Sequence, residues 1–290
     1  MGGKNVTSGG YWTTDANGNV TAYTGEGTPT DNYIHYDAGN NTLTLHNATI
    51  KEALEYGDNP PNSLIFGAAI GVLNQNGNAK LTIQLVGTNT VSASKGVYVY
   101  SSSGTATLNI TGSGSLNASG FQSGIQVQSN SNNATLEINN AKVTATSEIG
   151  SGVMVQAGSA NNQGHTATLT VNGGSLTASG DLGIEFNAGS KNNTITTTLT
   201  VSNNALVDTR NGGIEVYGTG DVTPVADDTT TGGIVFDGDK GTVYGSVTLE
   251  ENLTVGEGES LTLAENASLS AGGHNVIVDG GTLDNGLANS

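Results

Sequence analysis

Three short motifs recur in the same order five times along this 290-residue chain, and that recurrence limits its possible folds more than any other feature. The first reads Leu81-Thr82-Ile83, Leu108-Asn109-Ile110, Leu136-Glu137-Ile138, Leu169-Thr170-Val171 and Leu199-Thr200-Val201, with leading leucines 27, 28, 33 and 30 residues apart. An earlier copy, Leu43-Thr44-Leu45, precedes the series. The second motif follows seven to ten residues later as Val91-Ser92-Ala93, Leu116-Asn117-Ala118, Val143-Thr144-Ala145, Leu176-Thr177-Ala178 and Leu206-Val207-Asp208. The third opens on glycine: Gly96-Val97-Tyr98-Val99, Gly124-Ile125-Gln126-Val127, Gly152-Val153-Met154-Val155, Gly183-Ile184-Glu185-Phe186 and Gly213-Ile214-Glu215-Val216. Gly233-Ile234-Val235-Phe236 reads as a sixth copy.

Apolar residues alternate within each motif, the period of a strand with one buried face. No two-residue Asn-Gly turn joins a motif to its neighbour as a hairpin. Each strand is therefore expected to stack in parallel on its equivalent one repeat later. The predicted class is all-β: a right-handed parallel β-helix, a three-sheet solenoid with an N-terminal cap. Crossover handedness selects the right-handed form. Leu81, Leu108, Leu136, Leu169 and Leu199 are expected to form one inward column, and Ala93, Ala118, Ala145 and Ala178 another that suits a sharp corner.

Three regions follow. Residues 1–42 hold the only tryptophan, Trp12, with Tyr11, Tyr23, Tyr33 and Tyr36, and read as a cap over an open solenoid end. Residues 43–241 form the β-helix. Its length variation falls after the third strand, in loops at 101–105, 129–133, 157–166, 188–197 and 218–231 that are rich in Gly, Asn and Ser. Residues 242–290 carry a tighter pattern, with Leu253, Leu261, Leu269 and Ile277 at steps of eight, and read as shorter rungs of the same solenoid. The one weakly helical stretch is 50–56.

Charge and cysteine content remove several function classes. The 8 Lys+Arg against 25 Asp+Glu give a net charge of −17, with Arg210 the sole arginine. A nucleic-acid groove or an anionic membrane surface needs clustered cations, so neither is an expected partner. Without cysteine there is no disulfide frame, thiolate zinc site or thiol nucleophile. No apolar run has the length of a membrane helix, so no insertion by this segment is expected. Met1-Gly2-Gly3-Lys4 has no signal-peptide core behind it and reads as the start of a mature domain. The expected location is secreted or attached to a bacterial cell surface, with export signal and anchor outside this sequence.

Parallel β-helices include pectate lyases and polygalacturonases, which need a basic residue beside an Asp cluster or several carboxylates converging on one sugar. Here the seven lysines are scattered and the basic motif is missing, so the chain is not expected to be an enzyme and no catalytic residue is assigned. The histidines at 35, 46, 165 and 274 show no metal-ligand spacing. The outward columns of the third sheet are more informative. One runs Tyr98, Gln126, Met154, Glu185, Glu215; the other runs Tyr100, Gln128, Gln156, Asn187, Tyr217, Asp237. Amides and phenols offer donors, acceptors and apolar ring faces, which match the hydroxyl and C–H character of sugars. The candidate ligand residues are Tyr98, Tyr100, Gln126, Gln128, Gln156, Asn187 and Tyr217. Glu185 and Glu215 lie one rung apart, a pairing that would suit Ca2+, with Asp237 and Asp239 continuing the face. Asp208 takes the place of an inward alanine and is expected to cap a turn or pair with Arg210.

The cadence Leu176-Thr177-Ala178-Ser179-Gly180-Asp181-Leu182-Gly183-Ile184, with Leu116-Asn117-Ala118-Ser119-Gly120 before it, resembles the secreted bacterial carbohydrate-binding β-helix domains of clostridial type. The resemblance spans roughly residues 43–240. It implies a pectate-lyase-like fold that binds acidic plant polysaccharide without cleaving it, using calcium held by aspartates beside the corresponding strand. Asp181 is the only matching aspartate; Ser94-Lys95-Gly96, Phe121-Gln122-Ser123 and Arg210-Asn211-Gly212 lack it. The cadence of Leu253, Leu261 and Leu269 also resembles spacers in surface proteins of gut Firmicutes. The expected function is a monomeric, non-catalytic polysaccharide-binding module. The alternative is a structural adhesin or surface stalk that binds host or matrix protein, and a polysaccharide lyase or hydrolase comes third.

Overall fold

A computed structural model describes residues 1–51, 53, 67–158, 164–227 and 231–284. Most of the 50–56 stretch and parts of the loops expected at 157–166 and 218–231 lie outside those residues. The chain is all-β: no helix occurs among the described residues, and Ile50, expected to open a helical turn, ends a strand.

The start is antiparallel. Strands β1 (Gly10–Thr14), β2 (Val20–Ala22) and β3 (Tyr33–Asp37) form a meander, and β3 pairs antiparallel with β4 (Thr42–His46). Met1, Trp12, Val20 and Ile34 are buried in the same apolar cluster as the repeats that follow. From β4 up to β19 the pairings that follow are parallel, as a chain of like motifs requires.

The repeats supply β5 (Thr49–Ile50), β6 (Ala68–Asn74), β7 (Ala79–Val86), β8 (Thr88–Ser101), β9 (Ala106–Thr111), β10 (Ser115–Ser129), β11 (Ala134–Ser147), β12 (Ser151–Gln156), β13 (His165–Ser179), β14 (Leu182–Asn187), β15 (Ile195–Ser202), β16 (Ala205–Thr209), β17 (Ile214–Tyr217) and β18 (Pro224–Ala226). Their pairings fall into three parallel ladders, one per motif, an arrangement compatible with a parallel β-helix. In the first, Leu81, Leu108, Leu136, Leu169 and Leu199 stand in register and all are buried, with Pro224 next in line. Each buried aliphatic side chain contributes about 1.5–3 kcal/mol. In the second, Ala118, Ala145 and Ala178 align, but Val91 rather than Ala93 precedes them. Leu43 likewise falls on Ile83 instead of Leu81. Both shifts are of two residues, which keeps the same face inward. Asp208 is displaced by one. It lies over Thr177, an exposed outward position, while Thr209 turns inward and donates its hydroxyl to the Phe236 carbonyl at 2.6 Å.

The sixth copy of the third motif departs from expectation. Strand β19 (Gly233–Asp237) pairs in parallel with β16 in the second ladder, not with β17 in the third. It then reverses through Gly238-Asp239 into β20 (Lys240–Tyr244), an antiparallel hairpin with Asp237 opposite Lys240. Gly238 adopts φ +53°, which favours glycine at a two-residue turn. Strand β19 is buried on both faces: Val235 joins the main core, whereas Ile234 and Phe236 join a second one.

That second core belongs to the C-terminal strands β21 (Ser246–Thr248), β22 (Leu253–Val255), β23 (Ser260–Leu263), β24 (Ser268–Ser270), β25 (Val276–Val278) and β26 (Thr282–Asp284). Residues 242–284 do form short repeats, with β23, β24 and β25 parallel to β20, β21 and β22, and β26 on β23. The steps of eight carry the chain from one short strand to the next. These strands do not simply prolong the main stack: the hairpin reverses the chain, and they bury a core of their own.

Candidate functional site

The third ladder brings the predicted columns together. Tyr98, Gln126, Met154, Glu185 and Glu215 align on successive strands, and Tyr100, Gln128, Gln156, Asn187 and Tyr217 run beside them. Asp237 does not belong, since its register partner is Thr209.

Exposure divides the face in two. Tyr98 and Tyr100 are each only 4% exposed and pack with Ala68 and Leu73 in a small apolar cluster outside the main core. Their rings, tilted by 45° with centroids 5.9 Å apart, are covered rather than offered to a ligand. Burial, with Tyr100 adding to it, pushes the Tyr98 phenol well above its ordinary pKa. The strand before them explains the difference: β6 presents Leu73, in register with Tyr100, and Ala68, in register with Lys95, and both pack in the cluster with the two rings.

The two phenols stand at the ends of a polar circuit. Tyr98 donates its hydroxyl to Gln128 Oε1 at 2.9 Å, and Gln126 Nε2 donates to the same oxygen at 2.9 Å. Gln128 Nε2 donates to Asn130 Oδ1 at 2.9 Å, and Asn130 Nδ2 donates to the Tyr100 hydroxyl oxygen at 2.7 Å. Asn130 is not marked by the repeat because it follows β10 directly, within the loop expected to vary at 129–133. Lys95 Nζ lies 5.2 Å from the Tyr98 ring centroid and donates to Gln122 Oε1 at 2.6 Å. Partial burial lowers its pKa.

Farther along the ladder the face opens. Met154, Gln156 and Asn187 are half-buried, and Tyr217 is 39% exposed with Lys191 Nζ 6.0 Å from its ring centroid. Glu185 is buried, and both of its oxygens are occupied: Ser151 Oγ donates to Oε2 at 2.5 Å and Asn187 Nδ2 to Oε1 at 2.6 Å.

The residues expected to hold calcium do not fit that ion. Calcium requires six to eight oxygens, yet no three His, Asp or Glu residues converge on a metal position among the described residues. Glu185 is committed to its two donors, and Asp181 is an exposed residue at the corner before β14. Asp237 Oδ1 accepts the Ile214 N–H at 2.7 Å, and Asp239 sits in the hairpin turn. The Asp237-Gly238-Asp239 sequence is thus spent on reversing the chain.

Asp208 pairs with Arg210 as a fork. Its Oδ1 accepts from Nε at 3.0 Å and its Oδ2 from Nη2 at 2.6 Å. Arg210 Nη1 donates to Glu259 Oε2 at 3.2 Å and to the Thr254 carbonyl at 3.2 Å, and its guanidinium carbon lies 4.6 Å from the Phe236 ring centroid. The hydrogen bond to Asp208 is the largest cause that holds its pKa above the usual value. The sole arginine therefore fastens the repeats to the C-terminal strands. His35 and His46 stack on Tyr11 and Tyr33, at 4.2 and 4.8 Å, within the antiparallel start.

No helix among the described residues is long and apolar enough to cross a membrane. No family model, curated protein or solved structure matches the chain.

Proposed function

We propose that the chain winds as a right-handed parallel β-helix of three sheets, capped by the antiparallel strands of residues 1–42, and serves as a non-catalytic carbohydrate-binding module. In this reading it acts outside a bacterial cell, secreted or held at the surface. Polysaccharide lies along the outward face of the third sheet, across Gln128, Gln156, Asn187 and Tyr217, with the adjoining loops as its rim. The observation that carries the proposal is the register of those four side chains on successive strands, half-buried through to exposed. Donors, acceptors and a ring face thereby repeat at the strand spacing of about 4.8 Å, a periodic surface suited to a periodic polymer.

A second reading, a structural adhesin or stalk, is favoured by the polar circuit that joins Tyr98, Gln126, Gln128, Asn130 and Tyr100. Amides that satisfy one another stabilise stacking without any ligand. A glycan array separates the two. Saccharide binding that falls about tenfold or more in Gln156→Ala and Tyr217→Ala supports the module. Wild-type protein that binds no saccharide, or variants that bind as wild type does, overturns it.

A further inference from the structure

Strand β17 is the last member of the third ladder. The first and second ladders each continue by one more strand, β18 on β15 and β19 on β16, but no strand among the described residues pairs with the outer edge of β17. The position beside it is where the sequence pattern places Gly233–Asp237, which folds elsewhere. The consequence is visible in burial. Ile184 and Phe186, one strand earlier, are 0% exposed, whereas their register partners Ile214 and Val216 are only half-buried. A cleft of about 360 Å3 opens there, lined by Ile214, Glu215, Val216, Asp221, Val222 and Asp237 among others, a volume in the range of small binding sites.

The edge of β17 carries hydrogen-bonding groups. The Ile184 N–H donates to the Gly213 carbonyl at 3.0 Å and the Ala188 N–H to the Tyr217 carbonyl at 2.8 Å, so these carbonyls point inward to β14. The Ile214 N–H points the other way, to Asp237 Oδ1. Backbone groups alternate along a strand, so the Val216 N–H also faces the cleft. An edge of this kind is a template for an added strand.

Charge selects the occupant. Glu215, Asp221 and Asp237 line the cleft, and no Lys or Arg does. With a chain charge of −17, a second copy would bring acid against acid. We propose that the outer edge of β17 is a strand-addition site for an extended cationic peptide of a partner protein. Alternate apolar side chains of that peptide cover Ile214 and Val216, and the intervening Lys or Arg side chains meet Glu215 and Asp221. This site stands apart from the saccharide reading, because its probe and its variants are different.

The test uses a fluorescent peptide of alternating Lys and Val, with an alternating Glu and Val peptide as control, titrated by anisotropy into the whole chain. The cationic peptide should bind and the acidic one should not, and binding should weaken as salt rises. Val216→Pro removes the N–H that faces the cleft and leaves the β14 pairing untouched, since an edge strand tolerates proline on its open side. It should weaken the cationic peptide by about tenfold or more. Glu215→Gln with Asp221→Asn, both exposed, should weaken it comparably with no change to the backbone. The proposal is overturned if the cationic peptide does not bind at millimolar concentration, or if it binds both variants as it binds wild type. It is also overturned if sedimentation shows a dimer that Val216→Pro dissolves, because a second copy would then occupy the edge.

Discussion

Replacing Arg210 by methionine should loosen residues 240–284 and leave the stacked repeats in place. The guanidinium touches Asp208 on β16, Glu259 before β23, the Thr254 carbonyl on β22 and the Phe236 ring on the strand shared by both cores. Exposed ion pairs contribute about 0–1 kcal/mol, while breaking a fully buried one costs about 3–5 kcal/mol. The side chains of Arg210, Asp208 and Glu259 are 27%, 16% and 17% exposed, so the pair lies between those limits. An expected loss on the order of 2–3 kcal/mol follows, concentrated in the C-terminal strands. Hydrogen exchange by mass spectrometry reads it directly. Peptides from 240–284 should exchange faster, while peptides from 134–201 keep their protection. A double-mutant cycle should give a larger coupling for Arg210→Met with Asp208→Asn than with Glu259→Gln, because Asp208 takes the two-point fork and the 2.6 Å contact. Arg210→Lys should restore little, since lysine has no fork. Unchanged exchange in 240–284, or additive effects of Arg210→Met and Asp208→Asn, would refute the clamp.

Two further outcomes are expected. Burial lowers the N-terminal ammonium of Met1 from 8.0 to about 6, so between those values the unfolded chain binds the proton that the folded one releases. Stability should therefore rise from pH 6 to pH 8, by on the order of 2–3 kcal/mol in urea unfolding, and N-terminal acetylation should flatten that rise; stability that falls over the same range contradicts it. Leu169→Ala, at a fully buried position between Leu136 and Leu199, should cost about 2–5 kcal/mol in the same assay, and a loss below about 1 kcal/mol would contradict the column.

Much of this architecture is legible in the amino-acid order because the pattern is periodic. The first ladder reads from its leucines without error from Leu81 to Leu199, since a two-residue alternation anchored by a large aliphatic residue leaves one register. The second ladder slips at Ala93 and Asp208, where small or polar residues occupy the corner and neither volume nor polarity fixes the alignment. The misplacement of Gly233–Asp237 has a discernible cause. Its glycine-led pattern copies the third motif, but Val235 is apolar where the copy before it has Glu215, and Gly238-Asp239 follows the strand directly. A short strand apolar on both faces and followed by Gly-Asp as the two turn residues is a hairpin signal. The alignment of the candidate columns is legible too, but the burial of Tyr98 and Tyr100 is not. It depends on Leu73 and Ala68, which no repeated motif marks. The polar circuit likewise runs through Asn130, in a loop that periodicity says nothing about.

Parallel stacking of like motifs underlies every step above, and spin labels can measure it. The chain has no cysteine, so cysteines placed at Asn109 and Thr170 are the only labelling points. Glu137 lies between these two positions in register, so their backbones should be separated by two strand spacings, about 10 Å. Continuous-wave electron paramagnetic resonance should show strong dipolar broadening for that pair. Spectra no broader than the sum of the two singly labelled proteins would mean that the motifs do not stack.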